Sequence, residues 1–290
     1  MRARLSKIWT AATMPATILF LLSSPRIHPG YRLTWPKRLR LGWRMWRTTR
    51  AVWTGTSYKA HLAMAAKLLE IPPDVEGVVV ECGSYLGGST ANLSLACELA
   101  GRELIVYDSF QGLPAPRGND RYAHQSRTGF LDAPLDQVKE NVRRFGRIER
   151  CTFRVGWFAE TLPDHTEPVV LAFLDVDYQA SLDDCITHLW PHLIEKGYVF
   201  TDEYIFTEFC ALFWSERYWK QRFDTQPPGL IGSGSGVGVG QYYLGPANEW
   251  DTGQDPASVA YTRKDFCGRW DYDAAAAPLE EDREHAGGPF

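Results

Sequence analysis

Six acidic residues close apolar runs in this chain. Glu81 follows VVV at 78–80, Asp108 ends LIVYD, Asp175 and Asp177 end VVLAFLDVD, and Asp202 and Glu203 end YVFTDE. Carboxylates at such ends can accept hydrogen bonds from ligand hydroxyls or take up a proton. The first run leads into ECGSYLGGST, in which Gly83, Gly87 and Gly88 fall within six residues. A strand that passes through bare backbone into a helix lets a ligand approach the main chain at the helix N-terminus.

The intervening segments predict the elements that hold these residues. SYKAHLAMAAKLLEI reads as a helix capped by Ser57 and stopped by Pro72-Pro73. STANLSLACELA reads as a helix ending at Gly101, and LDQVKENVRRF as another. SLDDCITHLWPHLI is expected to be a helix with Ser181 as its cap, and TEFCALFWSERYWKQRF a single helix. Residues 111–134, rich in Gly and Pro, read as a long loop, and 229–245 as a Gly-rich stretch that turns β-like. Short buried strands alternating with helices predict an α/β fold, a Rossmann-like, mostly parallel sheet with helices on both faces. In such sheets ligands bind outside the carboxyl ends of the strands, so the six acids converge on one rim.

The glycine pattern is G-x-x-x-G-G, not the dinucleotide pattern G-x-G-x-x-G. Tyr85 stands where the second glycine of that pattern would admit a pyrophosphate. The loop suits a ligand without a phosphate there, and the amino-acid end of S-adenosylmethionine fits. Asp108, 25 residues after Gly83, can accept hydrogen bonds from ribose hydroxyls in either ligand class.

ECGSYLGGS, VYDSFQGLP, VGWFAETLP, LDVDYQAS and Asp202-Glu203-Tyr204, in this order, resemble the macrocin O-methyltransferase family over about 57–245. The resemblance implies a class I, S-adenosylmethionine-dependent enzyme that methylates sugar hydroxyls with a divalent metal. It implies that Glu81 and Gly83 border the methionine moiety with Ser89 near its carboxylate. Ser84 and Tyr85 complete that turn. Asp108 would bind the ribose with Ser109 nearby, and Gly156, Trp157 and Phe158 would line the adenine side. Asp175 would stand near the sulfonium as a metal ligand, with Asp202 and Glu203 completing the metal site. Asp177 would be a ligand or a substrate contact.

A secondary sugar hydroxyl is a poor nucleophile, and a bound Mg²⁺ can lower its pKa and orient it. Asp175, Asp202 and Glu203 supply the oxygen ligands Mg²⁺ favours. Asp175 and Asp177 are the expected catalytic residues, with Asp177, His61 or His124 as candidate proton acceptors. The family motif is Asp-Asp-Tyr; Glu203 departs from it by one methylene, which bears on the metal more than on the cofactor. The expected function is a metal-assisted O-methyltransferase acting on a sugar or sugar-like hydroxyl of a natural product or glycoconjugate. The alternative is a methyltransferase-like protein that binds cofactor without turnover. A nucleotide-dependent oxidoreductase lacks its glycine loop here.

Charge is divided unevenly along the 290 residues. Residues 1–69 hold 13 Lys or Arg and no acid, leaving 18 basic against 35 acidic residues in the remainder. That acidic body repels phosphates and argues against a nucleic-acid substrate. The basic arm either packs on its own domain, joins subunits of a homo-oligomer, or gives peripheral membrane contact through residues 1–50. The apolar stretch at 16–22 is too short to span a bilayer. Three regions are expected: a basic, aromatic N-terminal helical extension at 1–56, a methyltransferase domain at 57–246, and an acidic tail at 247–290. Six cysteines without a C-x-x-C pair fit a reduced, cytoplasmic protein.

Overall fold

A computed structural model of the chain describes residues 2–118, 120, 127–202, 207–231 and 259–266, with the side chains of 2–11 and 207–210 excluded. Its centre is a six-stranded sheet. The strands are β1 (Val78–Cys82), β2 (Leu104–Asp108), β3 (Cys151–Val155), β4 (Val169–Leu174), β5 (Leu193–Thr201) and β6 (Ala260–Arg263). Their order is β3-β2-β1-β4-β5-β6, parallel except for β6, which runs antiparallel to β5. The runs VVV, LIVY and VVLAFL are apolar without alternation because helices bury both faces. The chain winds outward from β1 through β3, then returns to β4 on the other side of β1. That reversal opens a crevice at the carboxyl ends of β1 and β4.

One face carries α1 (Arg2–Leu21), α2 (Trp35–Ala51), α3 (Tyr58–Leu68) and α4 (Gly88–Ala100). Val79, Val106, Phe173 and Phe200 of the sheet share an apolar cluster with Ile18, Leu41, Met45, Leu62 and Leu93. The N-terminal extension therefore packs on the domain and contributes to its core. The other face carries α6 (Phe158–Thr161), α7 (Gln179–Leu189), α8 (Thr207–Trp214) and α9 (Glu216–Phe223). There Val80, Ile105, Ala172 and Val199 meet Leu182, Ile186, Phe213 and Trp219. The helix α5 (Leu135–Phe145) closes the β3 side, where Val138 and Val142 pack with Ala91.

Three local expectations change, and one lies beyond what is described. Ser57 does cap its helix, but α7 begins two residues before Ser181, so that hydroxyl sits inside the first turn. The expected single helix at 207–223 is broken by Ser215, whose side chain accepts from Tyr218 N–H and starts α9. The sixth strand comes from within the segment expected to be tail. The β-like stretch at 241–245 lies outside the described residues.

A buried polar junction ties α2, α3 and α4 together. The Asn92 amide donates to the Met45 carbonyl (3.2 Å) and to His61 Nδ1 (2.8 Å). Both amide hydrogens are thereby used, so Nδ1 is the acceptor and Nε2–H donates to Thr56 Oγ1 (2.8 Å). His61 is fully buried and its pKa is pushed down to about 3 by burial. It is a structural residue remote from any base role. A histidine held neutral in the fold but titrating near 6.5 when unfolded costs stability as pH falls below 6.5. Urea unfolding should show a loss of about 2 kcal/mol from this group between pH 6.5 and 5. His61→Gln should flatten that slope.

Candidate active site

The turn after β1 is shaped by contacts between chain segments. Gly83 has φ +85°, and a Cβ there would lie 1.8 Å from the Asp175 carbonyl oxygen. Gly83 N–H donates to the Tyr107 carbonyl (3.0 Å), and Asp175 N–H to the Cys82 carbonyl (3.0 Å). The exits of β1, β2 and β4 are thus stitched together at one residue that must lack a side chain. Gly87 has φ +80° at the N-cap of α4, and a Cβ on it would press on Val138. A Cβ on Gly88 would press on Thr54. The missing side chains make room for protein, a reason for glycine beyond the access to a ligand expected from the sequence. Tyr85 takes a left-handed conformation (φ 42°) and meets Trp53 edge to face at 5.3 Å.

Around this turn lies a cavity of about 680 Å³. Of the expected cofactor residues, Gly83, Ser84, Tyr85, Ser89, Asp108, Ser109, Gly156, Trp157, Phe158 and Asp175 line it. Asp108 braces the turn it faces. Its Oδ2 accepts from Ser84 N–H (2.7 Å) and Ser84 Oγ (3.0 Å), and its Oδ1 from Phe110 N–H (2.7 Å). Three of roughly four acceptor positions on the carboxylate are taken, leaving one for a ligand hydroxyl. Ser109 Oγ accepts from Gln111 N–H and donates to the Gly112 carbonyl, which folds the loop beside it. Gly156 N–H donates to the Asp108 carbonyl (3.0 Å) and leads into Trp157, the N-cap of α6.

Glu81 departs from expectation. Strand alternation turns it to the α4 face with Val79, and it is fully buried outside the cavity lining. Burial pushes its pKa up to about 7; the Ser89 and Thr90 hydroxyls, close enough to pull it down, offset only part. Neither carboxylate oxygen makes a hydrogen bond of ordinary geometry.

Asp175, Asp177 and Asp202 also line the cavity. Leu174 pairs with Thr201, so Asp175 and Asp202 leave adjacent strand ends, and Asp202 N–H donates to the Leu174 carbonyl (3.0 Å). Asp177 sits at φ 56°, and burial pushes its pKa up to about 6. Among the described residues no three His, Cys, Asp or Glu side chains are placed to hold a metal ion. The predicted third ligand, Glu203, and the candidate base His124 lie outside the described residues.

The wall also contains residues the sequence did not single out. Trp53 and Thr54 come from the extension. Arg117 reaches from the long loop to Asp184 of α7 (2.8 Å), and Asp120 accepts from Ala180 N–H (3.3 Å). These tie the 111–134 loop to α7 beside the cavity. Only the preference of ordered loops for function hinted at them. The four cysteines whose side chains are described, Cys82, Cys97, Cys151 and Cys185, are free thiols. No described helix is long and apolar enough to cross a membrane.

A strand order that reverses at β1, a glycine-cornered turn into α4 and a carboxylate closing β2 define a class I methyltransferase fold. The solved O-methyltransferase NovP shares it, with a TM-score of 0.57 at 21% identity over 88% of this chain and 98% of that one. The chain belongs to the macrocin O-methyltransferase (TylF) family, whose model matches residues 46–228. The match begins inside α2, so the end of the extension that carries Trp53 is part of the family unit. A tetracenomycin rhamnosyl 4'-O-methyltransferase of Streptomyces olivaceus is 34% identical over 45% of this chain and 54% of its own length. Demethyldecarbamoylnovobiocin O-methyltransferase of Streptomyces niveus is 32% identical over 52% of this chain and 65% of its own. The chain thus spans little more than half the length of the curated relatives it matches.

The buried Glu81 gives a stability test. Its folded pKa is raised, so stability falls as pH rises from about 4.5 to 7 and the cost is full above that. Glu81→Gln should unfold at higher denaturant than wild type at pH 8, by at most about 3 kcal/mol, and match it near pH 4.5.

Proposed function

We propose that this chain is an S-adenosylmethionine-dependent O-methyltransferase acting on a sugar or sugar-like hydroxyl of a natural product or glycoconjugate. One observation carries it: the braced Asp108, the turn into α4 and three carboxylates from β4 and β5 face a single cavity at the sheet's reversal point. The rhamnosyl 4'-O-methyltransferase among its relatives supports the acceptor class.

Asp108 offers its remaining acceptor position to a ribose hydroxyl. The Ser84–Ser89 turn presents backbone N–H groups and the positive end of α4 to a carboxylate. Trp157 and Phe158 supply apolar surface for a purine. S-adenosylmethionine, when bound, supplies a sulfonium methyl group for the acceptor oxygen. Asp177 takes the proton that the hydroxyl loses. With a pKa near 6 it is a stronger base than an ordinary aspartate yet ionised at neutral pH. Trp53 and Tyr85 form an aromatic edge against which an acceptor ring packs. A divalent cation belongs to the same proposal: Asp175 and Asp202 would hold it with Glu203, and it would lower the pKa of the hydroxyl.

Transfer of labelled methyl groups to a panel of deoxysugar glycosides tests the proposal; cofactor binding without transfer to any acceptor would favour the catalytically degenerate alternative. In an active pairing, kcat should fall below an apparent pKa of about 6, because protonated Asp177 cannot accept a proton. Asp177→Asn should lower kcat by about 100-fold or more and leave S-adenosylhomocysteine affinity within about twofold. For the cation, Mn²⁺ titration followed by electron paramagnetic resonance should show a bound ion in wild type, and Asp202→Asn should weaken it by at least about tenfold.

A further inference from the structure

The α2 helix has two faces of different chemistry. Leu41, Gly42, Met45, Thr48 and Thr49 are buried against the protein. Pro36, Arg40, Trp43, Arg47 and Arg50 recur at helical spacing on the exposed face. Arg47 lies over the Trp43 ring at 5.3 Å, and Trp43 is 44% exposed.

The exposed face continues around the end of the helix pair. A Cβ on Gly42 would strike Ile18, and Arg38 donates to Ser23 Oγ (2.8 Å). The two helices therefore run antiparallel, and the last turn of α1 lies beside the first turns of α2. Phe20 (55% exposed) and Trp35 (68% exposed) stand at this end, with Arg26, Arg32 and Lys37 exposed around them. Among the described residues, none of Arg26, Arg32, Lys37, Arg40, Arg47 and Arg50 forms an ion pair with a carboxylate. The first acid in the sequence is Glu70.

We propose that this face docks the protein onto an anionic lipid surface. Arginines interleaved with Trp and Phe, on a helix whose opposite side is already buried, suit the boundary between headgroups and acyl chains. With no described helix able to cross a bilayer, the contact lies on the membrane. The exposed rings of Phe20, Trp35 and Trp43 favour a lipid surface, with its acyl boundary, over a nucleic acid, and the charge division orients the contact. Beyond residue 69 the chain carries a balance of −17, which turns the basic face toward an anionic plane and keeps the body away from it. Trp53, two residues past the end of α2, lines the cavity. Docking would therefore hold the cavity mouth at the lipid surface, within reach of a lipid-borne glycoconjugate; this last step rests on the methyl-transfer proposal.

Co-sedimentation of the full chain with vesicles tests the docking directly. Binding to phosphatidylcholine vesicles holding about 30% phosphatidylserine should exceed binding to pure phosphatidylcholine by at least about tenfold, and fall on raising salt from ~0.1 to ~0.5 M. The triple variant Arg40→Glu/Arg47→Glu/Arg50→Glu should bind at least about 100-fold more weakly. It should keep the wild-type melting temperature within a few degrees and its S-adenosylhomocysteine affinity. Phe20→Ala/Trp35→Ala should weaken vesicle binding while keeping its salt dependence. The proposal is overturned by equal binding to both vesicle types, by no binding, or by unchanged binding of the triple variant. It is also overturned if the wild type is an oligomer that the triple variant disperses, since a second copy would then own the face, or if duplex DNA outcompetes the vesicles. Loss of vesicle binding with S-adenosylhomocysteine binding intact sinks the docking alone; the reverse pattern sinks the methyl-transfer proposal and leaves the docking standing.

Discussion

The closest approach that organises this molecule is between Gly83 and the carbonyl of Asp175. Two neighbouring parallel strands leave the sheet there in opposite directions, one toward α4 and one toward α7. The crevice exists because they part, and its floor is where they touch. A side chain at Gly83 would separate them, and every other feature of the site is referenced to that contact. Asp108 locks the turn from the β2 side through Ser84. Asp202 N–H anchors the β5 exit to Leu174. The rim is built by backbone and carboxylate hydrogen bonds, which are directional and hold geometry better than apolar packing alone.

The carboxylates of the rim differ because their surroundings do. Asp108 is surrounded by donors and serves as a fixed acceptor. Glu81 faces the apolar side of the sheet and titrates near neutrality. Asp177, also raised by burial, stands in the cavity wall. The same carboxylate group is thus placed in a hydrogen-bonded brace, in the apolar interior or in the cavity wall by which face of a strand, or which turn, each residue occupies.

Much of this was legible in the sequence. The apolar runs ending in acids gave four of the strands and placed Asp108, Asp175, Asp177 and Asp202 on one rim, because parallel strands buried on both faces leave little ambiguity. The misses have physical causes. A glycine pattern says that a Cβ is unwelcome but not what would collide with it, so the Gly83 contact was invisible. His61 looked like a candidate base because burial cannot be read from one histidine in a helix. Trp53 falls in the expected extension because the regular pattern of helices and strands starts only at about residue 57. The strand Ala260–Arg263 was hidden in acidic surroundings because a four-residue edge strand carries too little pattern.

The claim on which the account turns is that Asp108 and the β1 turn hold the nucleoside of S-adenosylmethionine. The most direct measurement is calorimetric titration of the full chain and of Asp108→Ala with S-adenosylhomocysteine, with NAD as the control ligand. Saturable binding to wild type, none of NAD, and an affinity at least about tenfold weaker in the variant are expected. Equal affinity of the two proteins for S-adenosylhomocysteine, or binding of NAD in its place, would contradict it.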